Sequence, residues 1–188
     1  MGSTWGARGG FNNFKTRHLP HSCSPSAGPV SRRRRGSCPS LVAAPFVLRR
    51  LWVEALWVLG TQISTLVVIA IKDGVHRSRP SPALVGVLAP LNSPSFPSGH
   101  VVQYTMLLGF TFFLLYVLAP RSTLRAIVLW LLVVPIVLVG PSRMYLGQHW
   151  LSDVLGGYAV AAVLLLPMCC AYVKWRLDKT RGGARTTG

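Results

Sequence analysis

The stretch LWVEALWVLGTQISTLVVIAI, residues 51–71, contains Glu54 as its only charged side chain in 21 residues. A helix needs about 20 mainly apolar residues to cross the hydrocarbon core of a bilayer. Glu54 follows Arg50 by four positions, so its carboxylate can remain near the membrane surface. Residues 51–71 therefore predict a membrane-spanning helix.

Three more apolar runs follow in the chain, at residues 101–119, 124–140 and 155–173. The last two contain Pro135 and Pro167, which would kink a helix. Membrane helices tolerate proline where neighbouring groups hydrogen-bond the carbonyls that it leaves free. The sequence predicts an all-α fold, a polytopic membrane helix bundle with about four spans.

The segments outside these runs are polar and basic. Residues 1–45 are rich in Gly, Ser, Pro and Arg and lack apolar periodicity, which predicts a disordered basic tail. Residues 46–175 are expected to form the transmembrane domain, and residues 176–188 a basic cytoplasmic tail. The four cysteines show no metal-ligand spacing, so we predict no structural metal, no cofactor and no disulfide framework.

The charge balance narrows the class of partner. Four acidic residues stand against twenty Lys and Arg, for a formal charge of +16. Such an excess suits nucleic acid, an anionic membrane surface or an anionic substrate. Because the aromatic residues lie mostly inside the apolar runs, away from the basic clusters, membrane lipids are favoured and nucleic acid is not.

Basic residues in alternate loops predict the orientation. They precede the first span, separate the second from the third and follow the fourth: Arg49, Arg50, Arg121, Arg125, Lys174, Arg176, Lys179, Arg181 and Arg185. The positive-inside rule makes these loops cytoplasmic. The loops at residues 72–100 and 141–154 then share the extracytoplasmic side.

These two loops carry three clusters of polar residues. The clusters are Lys72 with Arg79 in KDGVHRSRP, the tetrapeptide PSGH at residues 97–100, and PSRMYLGQHWLSD at residues 141–153. His149 and Asp153 are four residues apart, which on a helix places them on one face. A carboxylate there can accept the Nδ1–H of the imidazole and leave Nε2 free as a nucleophile or base.

The remaining polar residues suit an anion. Ser98 is a candidate N-cap of the second span, and Gly99 allows a ligand to approach a helix start, where backbone N–H groups bind anions. Three cationic side chains can attract and hydrogen-bond the negatively charged oxygens of a phosphate: Lys72, Arg79 and Arg143. The pattern predicts a phosphoryl-transfer site that needs no metal. His76 and Arg77 are instead assigned to the membrane interface, with their side chains reaching toward water.

In this order, Lys-x6-Arg-Pro, Pro-Ser-Gly-His and Ser-Arg-x5-His-x3-Asp resemble the three signature motifs of the type 2 phosphatidic acid phosphatase superfamily. With flanking helices the resemblance covers about residues 50–175. It implies metal-independent hydrolysis of a lipid phosphate or polyprenyl diphosphate. It also implies that His149 forms a phosphohistidine, that Asp153 orients it, and that His100 protonates the leaving oxygen and then activates water. The residues that would hold the phosphate are Lys72, Arg79, Ser98, Gly99 and Arg143.

The start of the chain and the identity of the lipid both leave alternatives open. Membrane members of that superfamily usually have six helices, two of them before the lysine-containing one, and here an arginine-rich tail stands in their place. The chain therefore resembles an N-terminally short version, and a non-catalytic protein that binds anionic lipid is the alternative to an enzyme. A soluble vanadium haloperoxidase is disfavoured by the four spans. Phosphatidate, phosphatidylglycerol phosphate and undecaprenyl diphosphate fit equally well, with residues 82–91 as a candidate entry for the substrate.

Overall fold

The computed structural model describes residues 39–81, 85–86, 91 and 93–185 of the chain. All regular secondary structure in these residues is helical. The helices are α1 (Pro39–Leu48), α2 (Trp52–Gly60), α3 (Ile63–Val75), α4 (Gly99–Leu118), α5 (Thr123–Tyr145) and α6 (Leu151–Arg185). The predicted disorder of the first 38 residues, and most of the predicted substrate entry at residues 82–91, lie outside the described residues.

Four helical segments are long and apolar enough to cross a membrane, which confirms the predicted number of spans. They are Trp52–Val75, Gly99–Leu118, Thr123–Tyr145 and Leu151–Arg181. The chain is an integral membrane protein, and its described part is all-helical. Helix α6 has 35 residues and is about 52 Å long at 1.5 Å per residue. Because a hydrocarbon core is about 30 Å thick, the basic end of α6 projects beyond it.

The first span is broken into α2 and α3 at Thr61. The hydroxyl of Thr61 donates to the carbonyl of Val58 at 2.7 Å, and the hydroxyl of Ser64 donates to the carbonyl of Thr61 at 2.7 Å. A backbone in lipid has no water to bond, so side-chain hydroxyls at a helix break satisfy its carbonyls. The span predicted over residues 51–71 is therefore present as Trp52–Val75, with its helix interrupted at Thr61 and Gln62.

Helix α1 has ten residues and begins inside the segment that the sequence predicted as tail. Its side chains Ala43 and Phe46 are buried in the same cluster as Ala55 and Val58 of α2. The apolar sequence LVAAPFVL supplies this packing surface, although it is too short to cross a bilayer. The folded part of the chain thus begins at least as early as Pro39.

A ring of aromatic side chains holds the basic end of the bundle. Tyr172 of α6 is fully buried there, with ring centroids 5.8–6.1 Å from those of four neighbours: Trp57, Phe110, Phe113 and Trp175. Its hydroxyl donates to Oε1 of Glu54 at 3.0 Å. Glu54, the charged residue of the first span, is therefore hydrogen-bonded to the fourth span.

Helix α5 continues past the predicted end at residue 140 and carries Pro141 within it. Proline has no N–H for the carbonyl four residues earlier, here that of Val137. The hydroxyl of Tyr158 in α6 donates to the carbonyl of Ile136 at 2.6 Å and lies 3.4 Å from that of Val137. The neighbouring helix thus places a hydroxyl donor beside the carbonyl that Pro141 leaves free, and Arg143 falls in the last turn of α5.

Candidate active site

The chain between α3 and α4 meets the chain between α5 and α6 at one end of the bundle. Nε1 of Trp150 donates to the carbonyl of Ser78 at 3.2 Å. The backbone N–H of Ser98 donates to the carbonyl of Asp153 at 3.0 Å. These contacts confirm that the two polar loops, distant in sequence, share one side of the protein.

Two adjacent glycines of α6 permit this meeting. A Cβ on Gly156 would overlap the ring of Phe96. A Cβ on Gly157 would lie 3.1 Å from the carbonyl oxygen of Ser98 and 3.0 Å from Cβ of Val101. The segment that leads into α4 can therefore lie directly on α6 only because both positions lack a side chain.

Two of the three predicted cations are anchored to backbone carbonyls. Lys72, in the last turn of α3, donates from Nζ to the carbonyl of Pro94. Arg79 donates from Nε to the carbonyl of Ser93 at 2.7 Å and from Nη1 to the carbonyl of Gln148 at 2.6 Å. Both side chains are thus fixed in direction, and they bring positive charge to the loop that contains His149.

His149 is 5% exposed, and its Nε2 lies 3.4 Å from Nη1 of Arg79. Burial lowers the pKa of His149 from 6.5 to about 4, aided by the charges of Arg79 and Lys72 and opposed by Asp153. Burial also lowers the pKa of Arg79, against the charge of Asp153, without removing its proton near neutral pH. At neutral pH the imidazole is therefore uncharged, with a lone pair available on one nitrogen.

The carboxylate of Asp153 is fully buried and receives donors on both oxygens. Oδ1 accepts from Nη1 of Arg77 at 2.8 Å. Oδ2 accepts from the hydroxyl of Ser95 and from the backbone N–H of Trp150 at 2.9 Å. Nδ1 of His149 lies 3.6 Å from Oδ2, close to the carboxylate but beyond hydrogen-bond distance.

The start of α4 adds three predicted residues. Ser98 occupies the N-cap position as expected, but its side chain makes no capping bond. Its hydroxyl is fully buried and has no hydrogen-bond partner within the described part of the chain. Gly99 is the first residue of α4, and His100, the second, lies half-buried within electrostatic reach of three cations, Arg143, Arg79 and Lys72.

Arg143 completes the set from the last turn of α5. Its Nε lies 3.3 Å from the hydroxyl of Ser142, and its Nη1 lies 3.4 Å from Oε1 of Gln148. Gln148 also accepts from Arg79 through its carbonyl, so one residue of the α5–α6 loop joins the two arginines. All eight predicted site residues lie at this end of the bundle.

Comparison with known proteins gives the family. The family model described as the PAP2 superfamily matches residues 51–178. The chain belongs to the PAP2 superfamily. Phosphatidylglycerophosphatase B of Bacillus subtilis (strain 168) is 34% identical over 126 residues, a match covering 65% of this chain and 59% of the relative. The chain thus spans less than two thirds of the length of that curated relative.

A solved structure agrees with the fold of this PAP2 chain. It is the crystal structure of a transmembrane PAP2-type phosphatidylglycerolphosphate phosphatase from Bacillus subtilis. The two chains are 30% identical and superpose with a TM-score of 0.62, over 72% of this chain and 67% of the other. The similarity supports the transmembrane helix bundle described above.

The PAP2 site differs from the sequence prediction in where His149 lies. Because α6 begins at Leu151, His149 precedes the helix, and the expected placement of His149 and Asp153 on one helical face is wrong. The pair is close because Asp153 accepts the N–H of Trp150, which turns the chain at the start of α6.

Two residues of the PAP2 site were missed. Arg77 was assigned to the membrane interface, but it bonds Asp153, and that assignment is wrong. Ser95 was not singled out at all. No local signal distinguishes Arg77 from other arginines at the ends of spans, because its partner lies 76 residues further along the chain. Ser95 likewise lies 58 residues from Asp153.

Proposed function

We propose that the chain is a membrane lipid phosphatase that works through a covalent phosphohistidine at His149. The observation that carries the proposal is the position of this uncharged imidazole, whose Nε2 faces Arg79 at 3.4 Å among several cations. A nucleophile must hold a lone pair, and a phosphate must meet positive charge; this arrangement supports both at once.

The phosphate would be held between the cations and the start of α4. Lys72, Arg79 and Arg143 supply charge, with Arg suited to paired bonds to phosphate oxygens. The buried hydroxyl of Ser98 has no partner within the described residues, and an acceptor oxygen would satisfy it. The first N–H groups of α4, beginning at Gly99, add the anion preference of a helix N-terminus.

The proposed reaction has two steps. Nε2 of His149 attacks phosphorus and the bond from phosphorus to the lipid oxygen breaks. His100, protonated when the bound phosphate offsets the three neighbouring cations, gives its proton to that oxygen. His100 then accepts a proton from water, the water oxygen attacks phosphorus, and the bond to His149 breaks to release inorganic phosphate. Asp153 would stabilise positive charge on His149, with the 3.6 Å separation shortening as charge develops.

The substrate is proposed to be a lipid phosphomonoester or a polyprenyl diphosphate. The name of the Bacillus relative makes phosphatidylglycerophosphate the first candidate to test. Phosphatidate and a polyprenyl diphosphate present the same terminal phosphate, so they form the comparison. The four spans place the site at the end of a bundle that lipid surrounds, which suits a substrate whose tail stays in the bilayer.

Phosphate release from these three lipids tests the function. The full chain in detergent micelles, with EDTA present, would be compared with His149→Ala. His76→Asn is the matched control, because His76 is an exposed histidine in the connection between α3 and α4 at the same end of the bundle and has a positive φ of 49° that asparagine tolerates. We expect EDTA-resistant release in wild type and control and none in His149→Ala. No release from the folded wild-type chain would favour a protein that only binds anionic lipid.

The site is proposed to face away from the cytoplasm, as the basic loops at the opposite end indicate. After replacement of its four cysteines, the chain would carry one new cysteine at His76 or, as control, at Arg121. A membrane-impermeant thiol reagent added to intact cells should label the first variant and not the second. The reverse pattern would overturn the orientation.

A further inference from the structure

Arg77 contacts the buried carboxylate next to the proposed nucleophile. Its Nη1 donates to Oδ1 of Asp153 at 2.8 Å and to the hydroxyl of Ser152 at 2.7 Å. The side chain of Asp153 is 0% exposed, whereas that of Arg77 is 38% exposed. Arg77 therefore reaches from the edge of the protein to a carboxylate that water does not reach.

We propose that Arg77 is a positioning residue, which holds the carboxylate of Asp153 so that Oδ2 faces Nδ1 of His149 and which balances part of its negative charge. This inference rests on the proposed function of His149. It assigns a role to an arginine at one of the six unspecified positions of the first motif, between Lys72 and Arg79.

The two carboxylate oxygens of Asp153 have different partners. Oδ1 is bonded to Arg77, while Oδ2 accepts from Ser95 and Trp150 and lies 3.6 Å from Nδ1 of His149. Because both oxygens of Asp153 accept hydrogen bonds, the carboxylate cannot rotate about the Cβ–Cγ bond without breaking some of them. If Arg77 is removed, Oδ1 is a buried charged oxygen with no cation beside it, and the group will turn or move.

Charge balance gives a second effect. The charged groups acting on His149 are Arg79 and Lys72, which disfavour its protonation, and Asp153, which favours it. Arg77 offsets the charge of Asp153 at 2.8 Å. Without Arg77 more of the carboxylate charge acts on His149, so the imidazole takes up a proton at higher pH and is lost as a nucleophile.

Kinetics of the full chain against pH test this role. Arg77→Gln removes the charge and Arg77→Lys keeps it without the planar fork. Arg125→Gln is the control, an arginine at the opposite end that donates to the carbonyl of Ala119 at 2.8 Å and lies over the ring of Tyr116. The substrate is phosphatidate in detergent micelles.

For Arg77→Gln we expect kcat to fall about a hundredfold, the loss typical of a misplaced catalytic group, with KM unchanged. The acid limb of kcat/KM should move to higher pH, because it reports the pKa of the free enzyme's nucleophile. Arg77→Lys should lose part of kcat and keep the acid limb of wild type. Arg125→Gln should change neither.

A titration that needs no turnover separates this proposal from the proposed function. The imidazole of His149 would be followed by NMR in protein with ¹³C-labelled histidine and assigned by its loss in His149→Ala. A higher midpoint in Arg77→Gln supports the role of Arg77, and an unchanged midpoint overturns it even if the protein is less stable. A raised KM with an unmoved acid limb would instead make Arg77 a substrate contact.

The two failures remain distinguishable. If His149→Ala retains wild-type turnover, the phosphohistidine is wrong, and the NMR midpoint still decides whether Arg77 governs the Asp153–His149 pair. If Arg77→Gln does not fold, Arg77→Lys decides: a wild-type kcat in that variant would overturn the positioning role.

Discussion

Nη1 of Arg79 lies 3.4 Å from Nε2 of His149, while Oδ2 of Asp153 lies 3.6 Å from its Nδ1. The imidazole therefore sits between a cation and an anion at similar distances. Burial decides the balance, because it disfavours the charged ring, and the pKa of His149 falls to about 4. A ring between opposite charges thus remains uncharged at neutral pH.

The first prediction concerns stability against pH. The pKa of His149 is about 4 in the folded protein and 6.5 ordinarily. Between these two pH values, His149 is mostly protonated in the unfolded chain and mostly unprotonated in the folded chain. The contribution of His149 is fully present above pH 6.5 and declines as the pH falls toward 4. Melting temperatures in micelles should therefore drop less on acidification in His149→Gln than in wild type. Equal drops in both proteins would contradict the lowered pKa.

The second prediction separates binding from stability at Ser98. Ser98→Ala removes a buried hydroxyl that has no partner within the described residues, so the melting temperature should not fall. If that hydroxyl donates to phosphate, inhibition by inorganic phosphate or vanadate should weaken roughly tenfold, as expected for a hydrogen bond to a charged group. Unchanged inhibition constants would remove Ser98 from the phosphate site.

The third prediction concerns the close approach at Gly156. Gly156→Ala places a Cβ against the ring of Phe96 and should destabilise the protein by about 1–3 kcal/mol, as overpacking does. Gly74→Ala is the control, because a Cβ there meets nothing within 4 Å and helix α3 gains propensity. Denaturant titration in micelles should show opposite signs for the two variants. Loss of stability in both would point to a different cause.

The fourth prediction tests whether the ends of the bundle act independently. Tyr172→Phe removes the donor to Glu54 and leaves the buried aromatic ring in place. Unfolding free energy should fall by about 0.6–2 kcal/mol, the range for a side-chain hydrogen bond in a membrane protein. Turnover should be unchanged, because the site lies at the other end of the spans. A large loss of kcat would show that the two ends are coupled.

The spans and the polar site were predictable from the sequence because each rests on local information. A run of about twenty apolar residues predicts a membrane span without reference to the rest of the chain. The spacing of residues within the sequence motifs marked His100, His149 and Asp153 as site candidates. The break at Thr61 was not predicted, because Gly60 is a weak signal on its own inside an apolar run, and the hydroxyl bonds of Thr61 and Ser64 to nearby carbonyls appear only in the folded chain.

The contacts that fix the site escaped prediction for a different reason. Arg77 and Ser95 contact a carboxylate in the first turn of α6, and only the folded chain shows which residues between α3 and α4 reach it. Helix ends also shifted: α5 continues through Pro141, and the hydroxyl of Tyr158 in the neighbouring helix lies 3.4 Å from the carbonyl of Val137 that this proline leaves free. Contacts across the bundle, which the local sequence does not record, decided each of these cases.

Asp153 links two segments of the fold and is also part of the site. Its carbonyl accepts the N–H of Ser98, and its carboxylate binds Arg77 and Ser95, so it connects α6 to both ends of the segment between α3 and α4. A chain in which α4 has not yet packed against α6 lacks the bond between Ser98 and Asp153. In the proposed reaction, hydrolysis would therefore begin only after the helices have packed together in the membrane.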